Sequence, residues 1–391
     1  MTATLDALQG VANLPGRLEM PCWIGRGGDG ASGDIIAFDN GLLDMGRSHE
    51  RGDAVLMPHT PGWLSTNCLP HRFDPEARCP GWLGFLDQVF EGDAERIRAL
   101  AQWFGYNLTG DIRQQKFALF VGPPRSGKGT TMAILSHLLG LANVASPTLT
   151  SLGGRFGLAP LVGKQAAILG DAHLGRSSDA VAILERLKSI VGGDAQNVDR
   201  KGRDELAHVV LKARFTVSVN ELPRLPDASA ALRSRMLLIP FEVSYEGRED
   251  HDLQGRLLAE IPGITNWALE GLGDLRQSGR FLQPQAGRVV IDDFVRLSSP
   301  SRSFVEDCCE VGPDRTVIAS HLQCAWQEWC REHGHEAGSV ASFGAKLRAA
   351  VPGVSRSRQR HEGSLTYVYN GVTLAQATMA KVEGRLLCQL D

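Results

Sequence analysis

The sequence lacks any long hydrophobic run. No stretch of its 391 residues approaches the roughly 18 consecutive apolar residues that a transmembrane helix needs. The first residues, Met1 to Asp6, have neither the basic nor the apolar segment of a secretory signal peptide. The eight cysteines include no Cys-x-x-Cys pair. These absences predict a reduced, cytoplasmic protein with no membrane partner.

The sequence also has little net charge. Lys and Arg together number 41 against 44 Asp and Glu, which gives a formal net charge of −3. No overall positive field would attract a polyanion, so any contact with nucleic acid must come from local basic patches. Hydrophobic residues make up 43% of the chain, and this composition excludes a disordered, collagen-like or coiled-coil protein.

Three zones divide the chain, whose length is typical of about two to three domains. Residues 1–75 are rich in turns and contain a hairpin signal, because apolar residues flank Asn40-Gly41, the strongest short turn signal. Residues 76–285 begin with two amphipathic helices and then alternate strands with helices, which indicates a parallel sheet. Residues 286–391 form a smaller zone that ends in a basic, strand-like stretch.

Four apolar runs in the middle zone predict buried strands. They are nearly continuous rather than alternating, as expected for strands that are covered on both faces of a parallel sheet. The runs are 117–121, 166–169, 214–219 and 236–241. A helix from Lys128 to Leu139 is expected after the first run, and a helix through 181–190 after the second.

A glycine-rich motif joins the first strand to its helix. Residues 122–128 match G-x-x-x-x-G-K in the strand–helix setting that this pattern requires. Backbone N–H groups would curl around phosphate oxygens, while the helix N-terminus and Lys128 supply positive charge. A ligand-free turn is the alternative, and the flanking elements argue against it. The predicted nucleotide-binding residues are Gly122, Pro123, Pro124, Arg125, Ser126, Gly127, Lys128, Gly129 and Thr130.

Metal and catalytic residues are expected beyond this loop. The usual hydroxyl after the lysine is replaced by Gly129, so Thr130 is the predicted magnesium ligand. Asp171 follows the second strand, which we expect beside the phosphate loop, at a position where a carboxylate would hold Mg²⁺ through water. A helix cap is the alternative role for this aspartate.

The third strand ends at Asn220, whose amide would orient water against a γ-phosphate. Its alternative role is an Asx turn before Pro223. The residue after Asp171 is Ala172, where a second acid often stands. The catalytic base is therefore open, and Glu185 and Asp194 are candidates.

The order of these motifs resembles that of superfamily 3 helicases. After the phosphate loop and Asp171 come a basic hairpin, the sequence Asn-Glu-Leu-Pro-Arg at 220–224 and Ala-Leu-Arg-Ser-Arg at 231–235. The resemblance is greatest to the helicase part of phage and plasmid primase–helicase proteins, and it extends from about Ile35 to the C-terminus. It implies an AAA+ P-loop NTPase core that binds ATP and Mg²⁺.

The same resemblance implies a homohexameric ring that translocates 3′→5′ on single-stranded or forked DNA in a bacterial cytoplasm. Many relatives carry a primase or primase–polymerase domain, which would act here in cis or in trans. Residues 1–75 are too few and too rich in turns to form one. We therefore expect either a helicase-only gene or a fragment of a longer one.

A basic hairpin is the expected DNA contact in the middle zone. Arg200, Lys201 and Arg203 surround a glycine just before the third strand. By resemblance this hairpin projects into the pore of the ring, where its cations and Lys188 contact DNA phosphates. A solvated surface turn is the ordinary alternative.

An arginine finger is the second role that the resemblance implies. Arg235 stands immediately before the fourth strand, and Arg233 two residues earlier. In the family, an arginine here reaches into the neighbouring subunit's ATP site and stabilises transition-state charge. The match is better for Arg235, and the alternative is an ion pair at the edge of the core.

The last zone predicts a winged-helix domain, which relatives also carry. Helices over 303–310, 320–332 and 340–350 and a short strand at 316–318 precede a two-stranded ribbon over 354–360 and 365–369. Arg356, Arg358 and Arg360 alternate along the ribbon and so share one face, which suits DNA phosphates. A charged edge strand that resists aggregation is an equal alternative. Cys324, Cys330, His333 and His335 match no standard zinc spacing, so buried thiols are expected instead.

The predicted fold is α/β: an AAA+ P-loop core with a parallel sheet, a small N-terminal α+β region and a C-terminal winged helix. The predicted function is a DNA-translocating ATPase. A DNA-binding initiator that uses ATP only to assemble is one alternative, which Ala172 keeps open. A P-loop small-molecule kinase is the other, although such an enzyme has no use for a basic hairpin or a winged helix.

Overall fold

The computed structural model describes residues 20–24, 35–46, 55–170, 178–221, 234–298, 300–361 and 364–388. Contacts group these residues into two compact units, one up to Val290 and one from Ile291 onward. The described residues of the first two expected zones lie together in the first unit. No helix within the described ranges is long and apolar enough to cross a membrane.

The first unit is a mixed α/β structure. Its strands are β1 (Cys22–Trp23), β2 (Ile35–Phe38), β3 (Gly41–Asp44), β4 (Val55–Met57), β5 (Trp63–Leu64), β6 (Phe117–Val121), β7 (Val144–Ala145), β8 (Ala166–Leu169), β9 (Gln196–Arg200), β10 (Arg203–Val209), β11 (Arg214–Val219) and β12 (Met236–Pro240). Its helices are α1 (Pro80–Phe90), α2 (Ala94–Asn107), α3 (Lys128–Leu139), α4 (Leu149–Gly153), α5 (Ser178–Gly192), α6 (Leu253–Leu258) and α7 (Ile261–Ser278). A further helix, α8 (Gln285–Ser298), begins in this unit.

Five strands form a wholly parallel sheet in the order β12-β6-β11-β8-β7. The four predicted strands are confirmed, and β7 is an addition. Strand β11 lies between β6 and β8 and pairs with both of them: Val217 is in register with Leu119 of β6 and with Leu169 of β8. Crossover connections allow a strand to skip a position, so order along the chain does not decide which strands are neighbours.

Helices α1, α2 and α7 pack closely against one another, and α2 also contacts β12 of the sheet. A Cβ on Gly105 of α2 would lie 2.1 Å from the carbonyl oxygen of Ala268 in α7, so only glycine allows this approach. The rings of α1 continue the contact, since Trp82 lies 5.5 Å from Phe104 of α2 and 5.5 Å from Trp267 of α7. This packing fixes the position of α1, one wall of the cavity described below.

The hairpin predicted around Asn40 is confirmed. Strands β2 and β3 pair antiparallel with Phe38 opposite Gly41, and β4 adds a third strand. The Asn40 side chain accepts from the backbone N–H of Phe73 at 2.8 Å and donates to its carbonyl at 3.0 Å. Ile36 and Phe38 belong to the same hydrophobic cluster as α1 and α2, so this small sheet is part of the main core.

A half-buried histidine gives this unit a pH-dependent stability. The Nε2 atom of His71 lies 2.8 Å from the hydroxyl of Thr265, and burial lowers the pKa of the imidazole from 6.5 to about 4. Because the folded-state pKa is depressed, this contribution to stability is complete above pH 6.5 and is lost as the pH falls toward 4.

We therefore expect acidification to destabilise the first unit through His71. After discounting for partial solvent exposure, the loss between about pH 7 and pH 4.5 is roughly 2 kcal/mol of unfolding free energy. Urea unfolding at both pH values measures it. The variant His71→Gln, which cannot gain a proton, should show a smaller loss, and an equal loss in both proteins would contradict the prediction.

The second unit combines helices with an antiparallel sheet. Its helices are α9 (Pro300–Cys308), α10 (Ala319–His333), α11 (Val340–Ala350) and α12 (Gln376–Cys388), and its strands are β13 (Cys309–Ile318), β14 (Ser355–His361) and β15 (Ser364–Leu374), in the sheet order β13-β15-β14. The predicted helices and ribbon are confirmed, but β13 is longer than the expected 316–318. Trp326, Phe304 and Phe343 pack in its core.

The cysteines of α10 differ in exposure. Cys330 is buried, and burial raises the pKa of its thiol to about 11, in agreement with the expected structural role. Cys324 is only half-buried. His333 stacks on Trp329 at 4.2 Å between ring centroids and so contributes to the aromatic packing.

Candidate functional site

A cavity of about 950 Å³ opens at the carboxyl edge of the parallel sheet. The loops that follow β6, β8 and β11 reach it, together with helix α1 and residues 245–260. Ligands bind at this edge in open α/β sheets, because loops from neighbouring strands converge there. Of the predicted site residues, those that line the cavity are Pro124, Arg125, Ser126, Gly127, Lys128, Gly129, Thr130 and Asn220.

The loop between β6 and α3 depends on its two glycines. A Cβ on Gly122 would lie 1.8 Å from the carbonyl oxygen of Phe241, so no side chain fits there. Gly127 has φ +90° and its Cβ would lie 3.0 Å from Val89 of α1. The loop is therefore packed against Phe241, the residue after β12, on one side and against α1 on the other, and it leads directly into the N-terminus of α3.

Lys128 is buried at the centre of this loop. Its ammonium donates to the carbonyls of Gly122 and Pro123, each at 2.7 Å, and to the hydroxyl of Ser126 at 3.1 Å. The amine therefore lies inside the curve of the loop, beside the backbone N–H groups that begin α3. A ligand with anionic oxygens would find hydrogen-bond donors and positive charge at one point.

The hydroxyls after Lys128 differ in availability. Thr130 lines the cavity, whereas Thr131 is fully buried and donates to the carbonyl of Gly127 within α3. Nothing lies within 4 Å of a Cβ placed on Gly129, so the absence of a side chain there is not required by packing. Of the three positions that follow the lysine, only Thr130 offers an accessible hydroxyl.

Strand ends bring further polar groups to the cavity. Asn220 and Ser218, at the end of β11, and Gly170, after β8, all line it. Asp171 and Arg233 lie outside the described residues. The two candidates for a catalytic base lie elsewhere: Glu185 pairs with Lys188 at 3.2 Å on α5, and Asp194 accepts from the Ser189 hydroxyl at 3.0 Å. Neither lines the cavity.

The segment after β12 forms a wall that sequence patterns do not reveal. The backbone N–H of Tyr245 donates to the carbonyl of Arg125 at 2.9 Å, and the Tyr245 hydroxyl donates to the carbonyl of Gln88 on α1 at 2.7 Å. Arg125 also approaches Glu249 at 3.5 Å. Its place in the chain is the signal that could have identified it, because a loop that follows a parallel strand lies at the same edge of the sheet as the loop between β6 and α3.

Ion pairs occupy the outer part of this wall. Arg256 of α6 and Asp250 lie 2.5 Å apart, and the hydrogen bond from Arg256 lowers the pKa of the Asp250 carboxyl. Apolar side chains of Phe85, Val89 and Leu257 lie behind them. The cavity therefore has a polar, cationic end at the loop and a more apolar end between α1 and α6.

The predicted basic hairpin is present as β9 and β10. Arg200 and Arg203 face each other across the turn formed by Lys201 and Gly202. Lys201 and Arg203 are exposed, and the Arg200 guanidinium donates to the carbonyl of Asp204 at 2.9 Å. Lys188 lies on α5 instead of the hairpin, where it pairs with Glu185.

A glycine-rich loop lies beside the hairpin and was not predicted from the sequence. Arg155 approaches Asp199 of β9 at 3.3 Å and lies over the ring of Phe156, which is 43% exposed. Three glycines at 153, 154 and 157 surround these two residues. This pattern, an arginine and an aromatic residue between glycines, is the signal that could have identified an exposed loop.

Arg235 lies at the opposite edge of the sheet from the cavity. It precedes Met236, which is in register with Phe117 at the amino end of β6. The guanidinium donates to the carbonyl of Lys188 in the last turns of α5. A five-residue strand such as β12 spans about 16 Å, so this side chain does not reach the cavity of its own chain.

The chain is similar to one protein family over part of its length and to several solved structures over most of it. Residues 120–235 match the model of a family of unknown function, DUF5906. The apo structure of the NrS-1 C terminal region (305-718) resembles this chain with a TM-score of 0.57 and 12% identity, over 95% of this chain and 90% of that one.

Two A form apo structures of the NrS-1 C terminal region are also similar. One has a TM-score of 0.54 over 95% of this chain and 90% of that one, and the other 0.51 over 77% of each, both at 12% identity. At this identity the likeness concerns the fold. The chain has the fold of the NrS-1 C terminal region, built around a five-stranded parallel α/β sheet.

Proposed function

We propose that this protein is an ATP hydrolase that translocates on single-stranded DNA, a replicative helicase of the superfamily 3 type from a phage, plasmid or other mobile element. One observation carries the proposal. Lys128, Thr130 and Asn220 converge on one cavity at the carboxyl edge of a parallel sheet in which β11 lies between β6 and β8. In this order the lysine loop and the strand-end amide are neighbours, which suits an amide that orients water against a γ-phosphate.

The cavity fits a nucleoside triphosphate in size and polarity. Its volume of about 950 Å³ is within the usual range for ligand sites. The phosphates would lie at the Lys128 end and the base near Phe85 and Val89 of α1. Mg²⁺ would be held by the Thr130 hydroxyl and Asp171, and it would neutralise charge that develops on the phosphates. Asn220 would orient the attacking water.

The DNA would contact the hairpin and the neighbouring glycine-rich loop. The tip cations Arg200, Lys201 and Arg203 can bind phosphates, and the exposed ring of Phe156 can stack on a base. The Arg155–Asp199 ion pair joins the loop to the hairpin, so the two would move together. As a homohexamer, the protein would present six such tips to the strand, with a primase or primase–polymerase in cis or in trans.

Hydrolysis measured against protein concentration and DNA tests this function. A translocating ring predicts turnover that rises with concentration as subunits assemble and rises again with single-stranded DNA, together with ATP-dependent separation of a forked duplex. Turnover without strand separation would favour the assembly switch instead. Turnover independent of both concentration and DNA would favour a small-molecule kinase.

Removing the cations of the hairpin tip is expected to weaken DNA binding. In Arg200→Ala/Lys201→Ala, two phosphate contacts are lost, so the slope of log K against log salt should fall by about 1.4 for a single strand. The control Arg276→Ala/Arg280→Ala removes the same charge at two exposed positions, one near the end of α7 and one just after it, and should leave the slope unchanged. Equal slopes in both variants would show that the hairpin is only a solvated turn.

A further inference from the structure

The ribbon of the second unit carries arginines and aromatic residues on one face. Arg356 is in register with Tyr369, Arg358 with Tyr367 and Arg360 with Leu365. Residues paired across antiparallel strands point to the same side, so these six side chains form one ladder. We call this ladder, residues 356, 358, 360, 365, 367 and 369, the ribbon face.

One end of the ribbon face is buried in the core and the other end is exposed to solvent. Tyr369 is 2% exposed and its hydroxyl lies beside Gly344 of α11. Tyr367 is 45% exposed and Leu365 is 58% exposed. The sheet face that covers the core at Tyr369 therefore continues into solvent, with two large apolar side chains next to one another.

Two of the three arginines of this face lie over an aromatic ring instead of pairing with an acid. The Arg356 guanidinium lies 4.2 Å and that of Arg358 5.0 Å from the centroid of the Tyr367 ring. Within the described part of the chain, no carboxylate forms an ion pair with Arg356, Arg358 or Arg360. Elsewhere in this unit, exposed arginines have acidic partners, as in the pairs Arg302–Glu306, Arg315–Glu310 and Arg331–Glu328.

We propose that the ribbon face is a binding site for single-stranded DNA, separate from the hairpin. Alternate positions on a strand place the three guanidiniums in a row, suited to successive phosphates along a backbone. Tyr367 and Leu365 offer apolar surface to bases that a single strand leaves unpaired and a duplex hides. The inference rests on the proposed function in taking DNA as the partner, but not on ATP hydrolysis.

The arginine contribution is tested by the salt dependence of binding. Full-length Arg356→Ala/Arg358→Ala, measured with a fluorescent oligo-dT strand and no nucleotide, should lose about 1.4 from the log–log salt slope. The control Arg302→Ala/Arg331→Ala removes equal charge from the same unit and should keep the slope. If the ribbon variant aggregates while its soluble fraction binds DNA unchanged, the proposal is wrong. The arginines would then serve to prevent aggregation through the edge strand.

The aromatic contribution separates single strands from duplexes. Tyr367→Ala should weaken binding of the single strand roughly 5- to 150-fold, whereas Tyr367→Phe should retain it, because the ring provides the stacking surface. Duplex affinity should change little in either variant. An equal loss for duplex and single strand would overturn the choice of partner. The ATP hydrolysis rate of Lys128→Ala, measured in parallel, tests the proposed function separately. The effects of the ribbon-face substitutions on DNA binding should be the same in a Lys128→Ala protein, because they do not depend on ATP hydrolysis.

Discussion

Replacing Lys128 with alanine is expected to lower ATP hydrolysis by about 10²- to 10³-fold or more while the fold remains intact. The ammonium lies inside the loop, in contact with the carbonyls of Gly122 and Pro123 and the hydroxyl of Ser126. It is the charge nearest to where outer phosphates would bind, and the three partners just named all belong to the loop itself and not to the hydrophobic core. Steady-state phosphate release and the melting temperature measure the two effects.

A second lysine provides the control for this variant. Lys164 also donates its ammonium to a backbone carbonyl, that of Ala142 at 2.5 Å, but it lies away from the cavity. Lys164→Ala should hydrolyse ATP at the wild-type rate. Wild-type turnover in Lys128→Ala would show that this loop does not bind the phosphates, and it would contradict the proposed function.

Mixing two inactive variants is expected to restore hydrolysis if Arg235 acts on a neighbouring subunit. Arg235→Ala subunits keep their own Lys128 loop, and Lys128→Ala subunits keep Arg235. In a random equal mixture about a quarter of the interfaces would combine an intact cavity with an intact arginine. Because an arginine finger is worth roughly 10³- to 10⁵-fold, this fraction gives a measurable signal.

The control for the mixture is the double variant Lys128→Ala/Arg235→Ala. Combined with either single variant, it creates no interface that has both groups, so hydrolysis should stay at background. The competing role for Arg235 is to cap α5 through the carbonyl of Lys188. In that case Arg235→Ala lowers the melting temperature and no mixture recovers activity, even where mass measurements confirm mixed oligomers.

The strands of the parallel sheet show which parts of this fold can be predicted from sequence. β6, β8, β11 and β12 are nearly unbroken apolar runs, and covering on both faces requires such runs. β7 has only two residues, Val144 and Ala145, which are too few to form a pattern. The order of the strands was also beyond the sequence, because it follows from long-range packing and not from any local signal.

Arg214 illustrates why side-chain burial is harder to predict. It begins β11 and is buried, although a charged residue at a strand end is usually expected in solvent. Its guanidinium donates to the carbonyls of Asp111 at 2.9 Å and Gln165 at 3.2 Å and lies 4.9 Å from the Tyr106 ring. These partners come from three separate stretches of the chain, so only the folded chain brings them together.

The candidate site divides in the same way. The loop at 122–128 is a contiguous motif, and its flanking strand and helix are predictable, so the sequence identifies this end of the cavity. The opposite wall is assembled from α1, Tyr245 and α6, whose residues carry no shared pattern. Glu185 and Asp194 were candidates because of their order in the chain, yet α5 carries both away from the cavity lining.

The contact between Arg235 and α5 has a mechanical consequence. The chain leaves α5 at Gly192 and enters the hairpin at Gln196, whose side chain donates to the Ser189 hydroxyl at 2.8 Å. The end of α5 that Arg235 contacts is therefore also the segment from which the hairpin begins. If a neighbouring subunit's nucleotide bound the Arg235 guanidinium, the hydrogen bond to Lys188 would break and the hairpin could tilt. In the proposed ring, nucleotide occupancy in one subunit would then affect, through the Arg235 side chain, the position of the hairpin tip in the neighbouring subunit.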